Sequence, residues 1–387
     1  MSEHRRVWGA REESGQGSGA PRSRGSVRLR RGTVLAVVAT RPGAVELEVE
    51  LEGRRAPGLA YPDLVGPVSV GDRVLLNTTA VFLRLGTGGM HLVVAVEDGP
   101  DTDLSPGGRV VKARYTPLQA AVHSVEETHR EAIERSQGLR GTPVVCAPLH
   151  SMIGPIAAGA KAAGADRVVY VMTDGAALPG ALSRLVARLR TAHLLDAFLT
   201  AGQAFGGEVE AVTLWTGLLA AVEVLGAEVV VVADGPGNLG TDTSWGVSAL
   251  GSGHALNAAD TLGGRAVAAL RISFVDPRSR HRTVSHHSLT ILERVCSARV
   301  TVAVPVLEDE GRRTAVWDAL RERRLEERHQ LVEVDGRPGV DRLAEMGFRV
   351  GSMGRTQQDD PEFFLAASAA GVLAARMAAA SRSYRPG

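Results

Sequence analysis

The chain has 387 residues, with 44 Lys and Arg against 43 Asp and Glu. This length is more than one hydrophobic core usually sustains, so two domains are expected, and the near balance of charge argues against nucleic acid as a partner. No apolar run reaches the roughly 18 to 20 residues of a membrane span, and the N-terminus lacks the apolar core of a secretory signal, so no membrane partner is expected. Cys146 and Cys296, the two cysteines, lie in apolar stretches, as is typical of reduced core residues in a cytoplasmic protein.

The N-terminal part of the chain has no helical period. Residues 1–28 are rich in Arg, Gly and Ser, and we interpret them as a disordered tail rather than a nucleic-acid-binding arm. Residues 29–110 contain short β-type segments separated by Pro, Gly and Asp, which predict a small all-β domain. A closed or nearly closed barrel would hide its many strand edges. The loop LGTGGM at 85–90 lies between two predicted strands, so we interpret it as a hairpin turn.

Residues 111–387 have the alternating pattern of an α/β domain, in which predicted strands and helices follow one another from Thr142 onward. The pattern favours a mostly parallel sheet with helices on both faces. A doubly wound sheet is the first choice, and because about eight strand–helix units can be counted, a closed (β/α)8 barrel is the alternative. The last predicted strand covers 348–353. Helices are predicted to start at three sites that contain proline: 116–117, 178–179 and 360–361.

Polar segments follow the predicted strands, where ligands bind in both candidate architectures. Leu149 is followed by His150 and Ser151, and two Asp-Gly pairs come directly after hydrophobic strands at Asp174 and Asp234. If these two strands are neighbours, both aspartates would face one crevice and could bind Mg²⁺ or divide acid and base roles. The sequence therefore predicts a small-molecule site at the carboxyl edge of the sheet.

The segment GPGNLGT at 235–241 follows the most hydrophobic of these strands. Glycine lets a backbone approach a ligand closely, and such a loop can bind an anion. The segment fits G-x-G-x-x-G formally, but Pro236 stiffens the turn and the residues after Gly240 look like a loop, so a phosphate or carboxylate loop is favoured over a dinucleotide site. The ligand-binding candidates are Ser151, Gln203, Gly235, Gly237, Asn238, Gly240, Thr241 and Arg355.

Three histidines fall within seven residues, at His281, His286 and His287, with Asp276 upstream. A metal site needs three or four convergent ligands, and Asp276, His281 and His286 are the candidates for one. Adjacent helical residues point about 100° apart, so His286 and His287 are not expected to share an ion if the helix has already begun there. A role as general acid or base is therefore as reasonable for them as metal binding.

These observations support two hypotheses. The first is an enzyme that acts on a phosphorylated or otherwise anionic small molecule. The second is a non-catalytic sensor of such a ligand, with the β-barrel as an interaction module. A divalent metal or a nucleotide as cofactor, and assembly into a homo-oligomer, stay open. The catalytic candidates are His150, Asp174, Asp234, His286 and His287.

Several longer motifs resemble one known family. They are LNTTAVFLRLGTGGMH, TDGAALP, TAGQAFGGE, GPGNLGTDT, RISFVDPRSRH, SHHS, MGR and DDPEFF. Together they are similar to domain of unknown function 3866, over roughly residues 29 to 380. The resemblance implies a cytoplasmic bacterial protein and brings no established activity with it.

Overall fold

The computed structural model describes residues 26–85, 89–101, 103, 108–176, 179–241 and 243–382. The predicted tail falls on residues 1–28, of which 1–25 lie outside the described residues. Arg28 is held at the edge of the barrel, where its carbonyl accepts from the Thr78 amide at 2.8 Å and its own amide donates to Thr79 Oγ1 at 2.8 Å. The centre of the predicted turn at 85–90 also lies outside the described residues.

The first five strands form a closed barrel in the order β1-β2-β3-β5-β4, which confirms the predicted β-barrel. Each pair is antiparallel except β3 with β5. Closure pairs both edges of every strand, and the interior is filled by buried side chains such as Val34, Val49 and Leu76. The strands are β1 Leu29–Arg41, β2 Ala44–Leu51, β3 Arg54–Ala60, β4 Arg73–Asn77 and β5 His91–Val96, with short helices α1 Pro62–Val65 and α2 Thr79–Phe82.

A short hairpin follows where a helix starting at 116–117 was predicted. Strand β6, Val110–Lys112, pairs antiparallel with β7, Ala120–Val122. The helix begins at Val125 instead, because Ser124 and Glu127 form a capping box that satisfies the free amides of the first turn. The predicted start is therefore wrong.

The main sheet is open and has eight parallel strands in the order β11-β10-β9-β12-β8-β13-β16-β17. This confirms the doubly wound sheet, and the (β/α)8 alternative is wrong because β11 and β17 do not pair with each other among the described residues. The predicted strand at 348–353 is not part of the sheet but forms a small hairpin. The strands are β8 Pro143–Cys146, β9 Val168–Thr173, β10 Ala197–Ala201, β11 Val209–Ala211, β12 Val229–Asp234, β13 Arg265–Ala269, hairpin β14 Ile272–Ser273 and β15 Thr283–Val284, β16 Thr301–Pro305, β17 Gln330–Val334, and hairpin β18 Gly351–Ser352 and β19 Arg355–Thr356.

Helices cover both faces of this sheet. Of the predicted helix start at 178–179, residue 178 lies outside the described residues; a 3-10 helix follows at Gly180–Leu182, and α6 itself begins at Arg184 with Ser183 as its N-cap. The start at 360–361 is confirmed. Helix α9 continues as a π-helix over Ile291–Val295. The helices are α3 Val125–Thr128, α4 Arg130–Glu134, α5 Ile153–Ala162, α6 Arg184–Thr191, α7 Leu214–Glu223, α8 Gly251–Thr261, α9 His286–Thr290, α10 Glu310–Glu322, α11 Leu325–Arg328, α12 Arg337–Glu345 and α13 Pro361–Arg382.

The strands are apolar throughout because each face of the sheet has its own core. Val144 and Cys146 pack on one face with α7 and α8, while Val145 and Tyr170 pack on the other with α5 and α13. Helices α5 and α13 touch closely, since a Cβ at Gly371 would overlap the carbonyl oxygen of Ile156.

Helix α13 also corrects the expectation that no apolar run is long enough to span a membrane. Among the described residues, Pro361–Ser381 meets that requirement by length and composition. However, 72% of its most apolar window is buried inside the protein, against α5, α12 and the sheet. This packing is that of a core helix.

The order of the central strands places a crevice at one edge. After β9 the chain moves outward to β10 and β11, whereas after β13 it moves the opposite way to β16 and β17. The loops after the central strands β12, β8 and β13 diverge at this reversal. Such switch points are where open α/β sheets bind ligands.

Candidate functional site

A cleft of about 610 Å³ opens at the carboxyl ends of β8, β12 and β13. We call it the central cleft. Its walls come from the loops after these three strands and from the β18–β19 hairpin. The lining residues are Leu149, His150, Ser151, Leu185, 236–241, Val247, Ala249, Arg271, Arg278, Arg280, His281, His287 and 351–353.

One wall is the glycine loop, residues 235–247. Gly237 has φ +99, and a Cβ there would meet nothing within 4 Å, so its backbone faces open space. The loop folds back on itself: Gly240 bridges to Val247, and Thr241 Oγ1 donates to the Gly246 carbonyl at 3.1 Å. Among the described residues of this loop no helix follows the glycines directly, since a 3-10 helix begins only at Ser248 and α8 at Gly251. The loop therefore lacks the geometry of a dinucleotide fingerprint.

His150 is held in place by its neighbours. The Asp234 carbonyl lies 3.2 Å from His150 Nδ1 and can only accept, so Nδ1 carries the proton of the neutral ring. The Ser183 hydroxyl accepts the Val186 amide at 3.0 Å and donates to His150 Nε2 at 2.7 Å. Burial lowers the pKa of His150 to about 4, so the ring is neutral and its bonding is satisfied.

Asp174 and Asp234 follow neighbouring strands, as the sequence suggested, but their carboxylates are engaged separately. Asp234 Oδ1 accepts from Thr173 Oγ1 at 2.6 Å. Burial raises the pKa of Asp234, opposed by the Thr173 bond and reinforced by the charge of Asp174. Asp174 Oδ2 accepts the Gln203 amide at 3.0 Å. Gln203 itself lines a second cleft of about 430 Å³, between β10 and the β6–β7 hairpin.

Behind the central cleft lies a cluster of arginines and aspartates. The fully buried Asp276 accepts from Arg271 and Arg278 at 3.0 Å each and from Arg355 at 3.3 Å. Burial alone would raise the pKa of Asp276, but the hydrogen bonds and charges of Arg278 and Arg271 hold it well below its usual range. Arg355 also donates to Asp360 at 3.0 Å. Three guanidinium groups thus share two carboxylates, and Asp276 is not free to bind a metal.

The three histidines form a compact group, which we call the histidine cluster. The ring centroids of His281 and His286 are 5.1 Å apart, those of His281 and His287 5.0 Å, and those of His286 and His287 4.0 Å. The rings of His286 and His287 lie closer together than the angle between adjacent helical positions suggests. Both rings stand at the ends of rotatable side chains, so the angle between Cα positions does not fix the distance between rings.

The structure brings most of the candidate residues to one place. Ser151 lies in the central cleft and donates to Ser352 Oγ at 2.9 Å, and Asn238 lies there with its amide donating to the Pro148 carbonyl at 2.8 Å. Gly235 begins the glycine loop, while Asp174 and Gln203 lie toward the second cleft. The sequence reasoning missed Arg271, Arg278 and Arg280, although the run of basic residues from 278 to 282 after a predicted strand could have revealed them.

Comparison with known proteins shows the family of the chain. No curated protein matches the chain. A family model described as "Protein of unknown function (DUF3866)" matches residues 57–371 and so covers the later part of the barrel and nearly all of the α/β part. The chain belongs to this family, domain of unknown function 3866.

Proposed function

We propose that this protein is an enzyme that binds a phosphorylated or otherwise anionic small molecule in the central cleft and acts on it there. The observation that carries the proposal is the meeting of Arg271, Arg278 and Arg280 with the glycine loop across one cleft. Guanidinium groups favour phosphate and carboxylate through paired, charge-assisted hydrogen bonds. A volume of about 610 Å³ falls in the range of small-molecule sites.

The balance of charge supports an anionic ligand. Asp276 and Asp360 neutralise only part of the charge of Arg271, Arg278 and Arg355, so the cluster keeps an excess positive charge beside the cleft. Arg271 is only 4% exposed, and burial lowers its pKa to about 10, so it stays charged at pH 7. An anion in the cleft would complete the neutralisation that the two carboxylates begin.

The histidines supply the chemical groups. Burial, with the nearby His286 and arginines, lowers the pKa of His287 to about 4, so the ring is neutral at pH 7. The lone pair of a neutral imidazole can accept a proton from a bound substrate or from water, or can bind a metal ion instead. His150 is satisfied by Ser183 and Asp234 and acts in this proposal as a support for the cleft wall.

A sensor remains the second candidate, because one continuous chain of contacts links the cleft to the barrel. His150 in the cleft is bonded to Ser183, and the next residue, Arg184, donates to Glu46 of β2 at 2.6 Å. A ligand that moves His150 would therefore also move the start of α6, whose Arg184 is paired with Glu46 of the barrel. For both candidate functions we place the protein in the cytoplasm, since Cys146 and Cys296 are free and buried.

The test measures, by thermal shift, the binding of inorganic phosphate and of a panel of phosphorylated small molecules. A ligand at about 100 times its Kd adds about 2.7 kcal/mol to the unfolding free energy. Arg280→Met should weaken binding at least about tenfold, because it removes a charge-assisted bond. The matched control is Arg114→Met, which changes an arginine of the second cleft.

The outcomes separate the possibilities. Binding that survives Arg280→Met and is lost in Arg114→Met would place the ligand in the second cleft and overturn the proposal. A ligand that binds the central cleft and is converted to a product, detected by NMR, supports the enzyme. A ligand that is recovered unchanged supports the sensor.

A further inference from the structure

In the histidine cluster three ring nitrogens converge, and packing of the rings alone does not require this arrangement. One ring nitrogen from each of His281, His286 and His287 lies within 4.8 Å of the other two. His281 and His287 are 1% and 6% exposed, yet both line the central cleft. Three imidazole nitrogens therefore converge at a wall that a ligand can reach.

An unsatisfied atom points to a missing partner at this position. His287 Nε2 is buried and has no hydrogen-bond partner among the described residues. Leaving a buried polar atom unpaired costs about 1 to 3 kcal/mol, and such atoms are rare in native proteins. A cation at the nitrogen lone pair would remove this cost.

Ser285 orients the ring of His281 and caps the helix that carries His286 and His287. Its buried hydroxyl lies 2.8 Å from His281 Nδ1 and caps α9 by accepting the His287 amide at 3.3 Å. When His281 Nδ1 donates its proton to Ser285 Oγ, the Nε2 lone pair is left for a ligand. Histidines that bind metals are commonly fixed by such a bond through their other ring nitrogen.

We propose that His281, His286 and His287 bind one divalent metal ion, such as Zn²⁺ or Ni²⁺, at the wall of the central cleft. Three imidazoles suit these ions and leave a coordination position for water or substrate, whereas Mg²⁺ and Ca²⁺ prefer oxygen ligands. With metal–nitrogen bonds of about 2.1 Å, the nitrogens stand about 3.0 to 3.4 Å apart. Side-chain rotations that move each nitrogen by about 1 Å bring the three nitrogens from their present separation of up to 4.8 Å to this distance.

The arginines make the affinity of this site for the ion depend on an anion. Arg271, Arg278 and Arg280 share the wall with the histidines and oppose a bare cation. A phosphate oxygen in the open coordination position would bind the ion while the other oxygens bind the arginines. Only this last step depends on the proposed function. Because coupling between sites is reciprocal, phosphate should tighten metal binding by about tenfold.

The experiment uses the untagged full chain, stripped with a chelator and titrated with Zn²⁺ and Ni²⁺ in phosphate-free buffer. One ion per chain is expected by calorimetry and by elemental analysis after dialysis. His286→Gln and His287→Gln should lose it. His286→Gln changes the least buried of the three rings, and His254→Gln, at an exposed position of α8, is the control that should bind like the wild type.

Two further measurements keep the test decisive. Circular dichroism of the metal-free variants checks the fold, and the visible absorption of Co²⁺ bound to the wild type reports nitrogen ligands without any substitution. A wild type that binds no ion, or a His286→Gln variant that binds as tightly as the wild type, would overturn the metal site. Phosphate binding to the metal-free protein tests the proposed function separately.

Discussion

Asp276→Asn tests the structure at its most heavily charged point. The carboxylate is fully buried and accepts from three guanidinium groups, among them the buried Arg271. Asparagine has nearly the same shape, but it removes the negative charge and places an amide donor against guanidinium donors. Breaking a buried ion pair by removing one partner costs about 3 to 5 kcal/mol. We expect a loss of unfolding free energy of this size in urea denaturation.

The matched control is Asp335→Asn, which breaks the pair with Arg337. These side chains are 33% and 59% exposed, and exposed pairs contribute about 0 to 1 kcal/mol. If Asp276→Asn costs no more than Asp335→Asn, the reasoning about buried charge is refuted. Sulfate should raise the melting temperature of Asp276→Asn more than that of the wild type, because an anion can replace the lost carboxylate.

The pH dependence of this loss follows from the depressed pKa of Asp276. An aspartate whose folded pKa lies below its unfolded value of about 3.9 stabilises the fold above that value. This stabilisation disappears as the pH falls further, toward the folded pKa. The difference between the wild type and Asp276→Asn should therefore be constant above about pH 5 and shrink below about pH 4. A difference that stays constant down to pH 2 would contradict this account.

Three further outcomes are expected. Ser183→Ala removes a helix cap and the partner of His150 Nε2, so it should lower the unfolding free energy by about 2 to 4 kcal/mol in urea denaturation. The control Thr213→Ala removes only a helix cap and should cost about 1 kcal/mol. Equal costs would show that the bond to His150 contributes nothing. Because burial lowers the pKa of His150 to about 4, only the unfolded chain takes up the proton as the pH falls from about 6.5 to 4, and the unfolding free energy should drop by about 3 kcal/mol over that range. His150→Phe should flatten this slope in pH-dependent melting. Gly371→Ala forces α13 away from Ile156 and should cost about 1 to 3 kcal/mol of unfolding free energy, whereas Gly311→Ala, at an exposed position of α10, should be neutral or stabilising. A neutral Gly371→Ala would mean that α5 and α13 can move apart freely.

The fold class and the edge that carries the cleft could be predicted from the sequence because both depend on local patterns. Buried parallel strands are hydrophobic throughout, and the loops that follow them carry the glycines and charges, as at 228–243. The helix expected at 116–117 failed because a proline next to a threonine is compatible with a turn as well as with a helix start. Only the capping box at Ser124 decides between them.

The arginine cluster could be predicted only in part. Arg271 and Arg278 are near Asp276 in the sequence, but Arg355 reaches it from a distant part of the chain. Asp276 meets Arg355 through the β18–β19 hairpin, which lies far along the sequence. The same holds for Ser183 with His150, a bond between loops after different strands. Periodicity shows which residues are buried, but it carries no information on which charged residues meet.

The position of β8 in the sheet has a consequence for folding. It is the first of the eight strands in the chain, yet both of its neighbours, β12 and β13, are among the later ones, and α13 then covers it. A ribosome-bound chain that ends before β12 therefore exposes both edges of a hydrophobic strand. Such long-range pairings slow folding, and unpaired strand edges promote aggregation. We expect nascent chains of this length to be targets of chaperones that bind extended apolar segments.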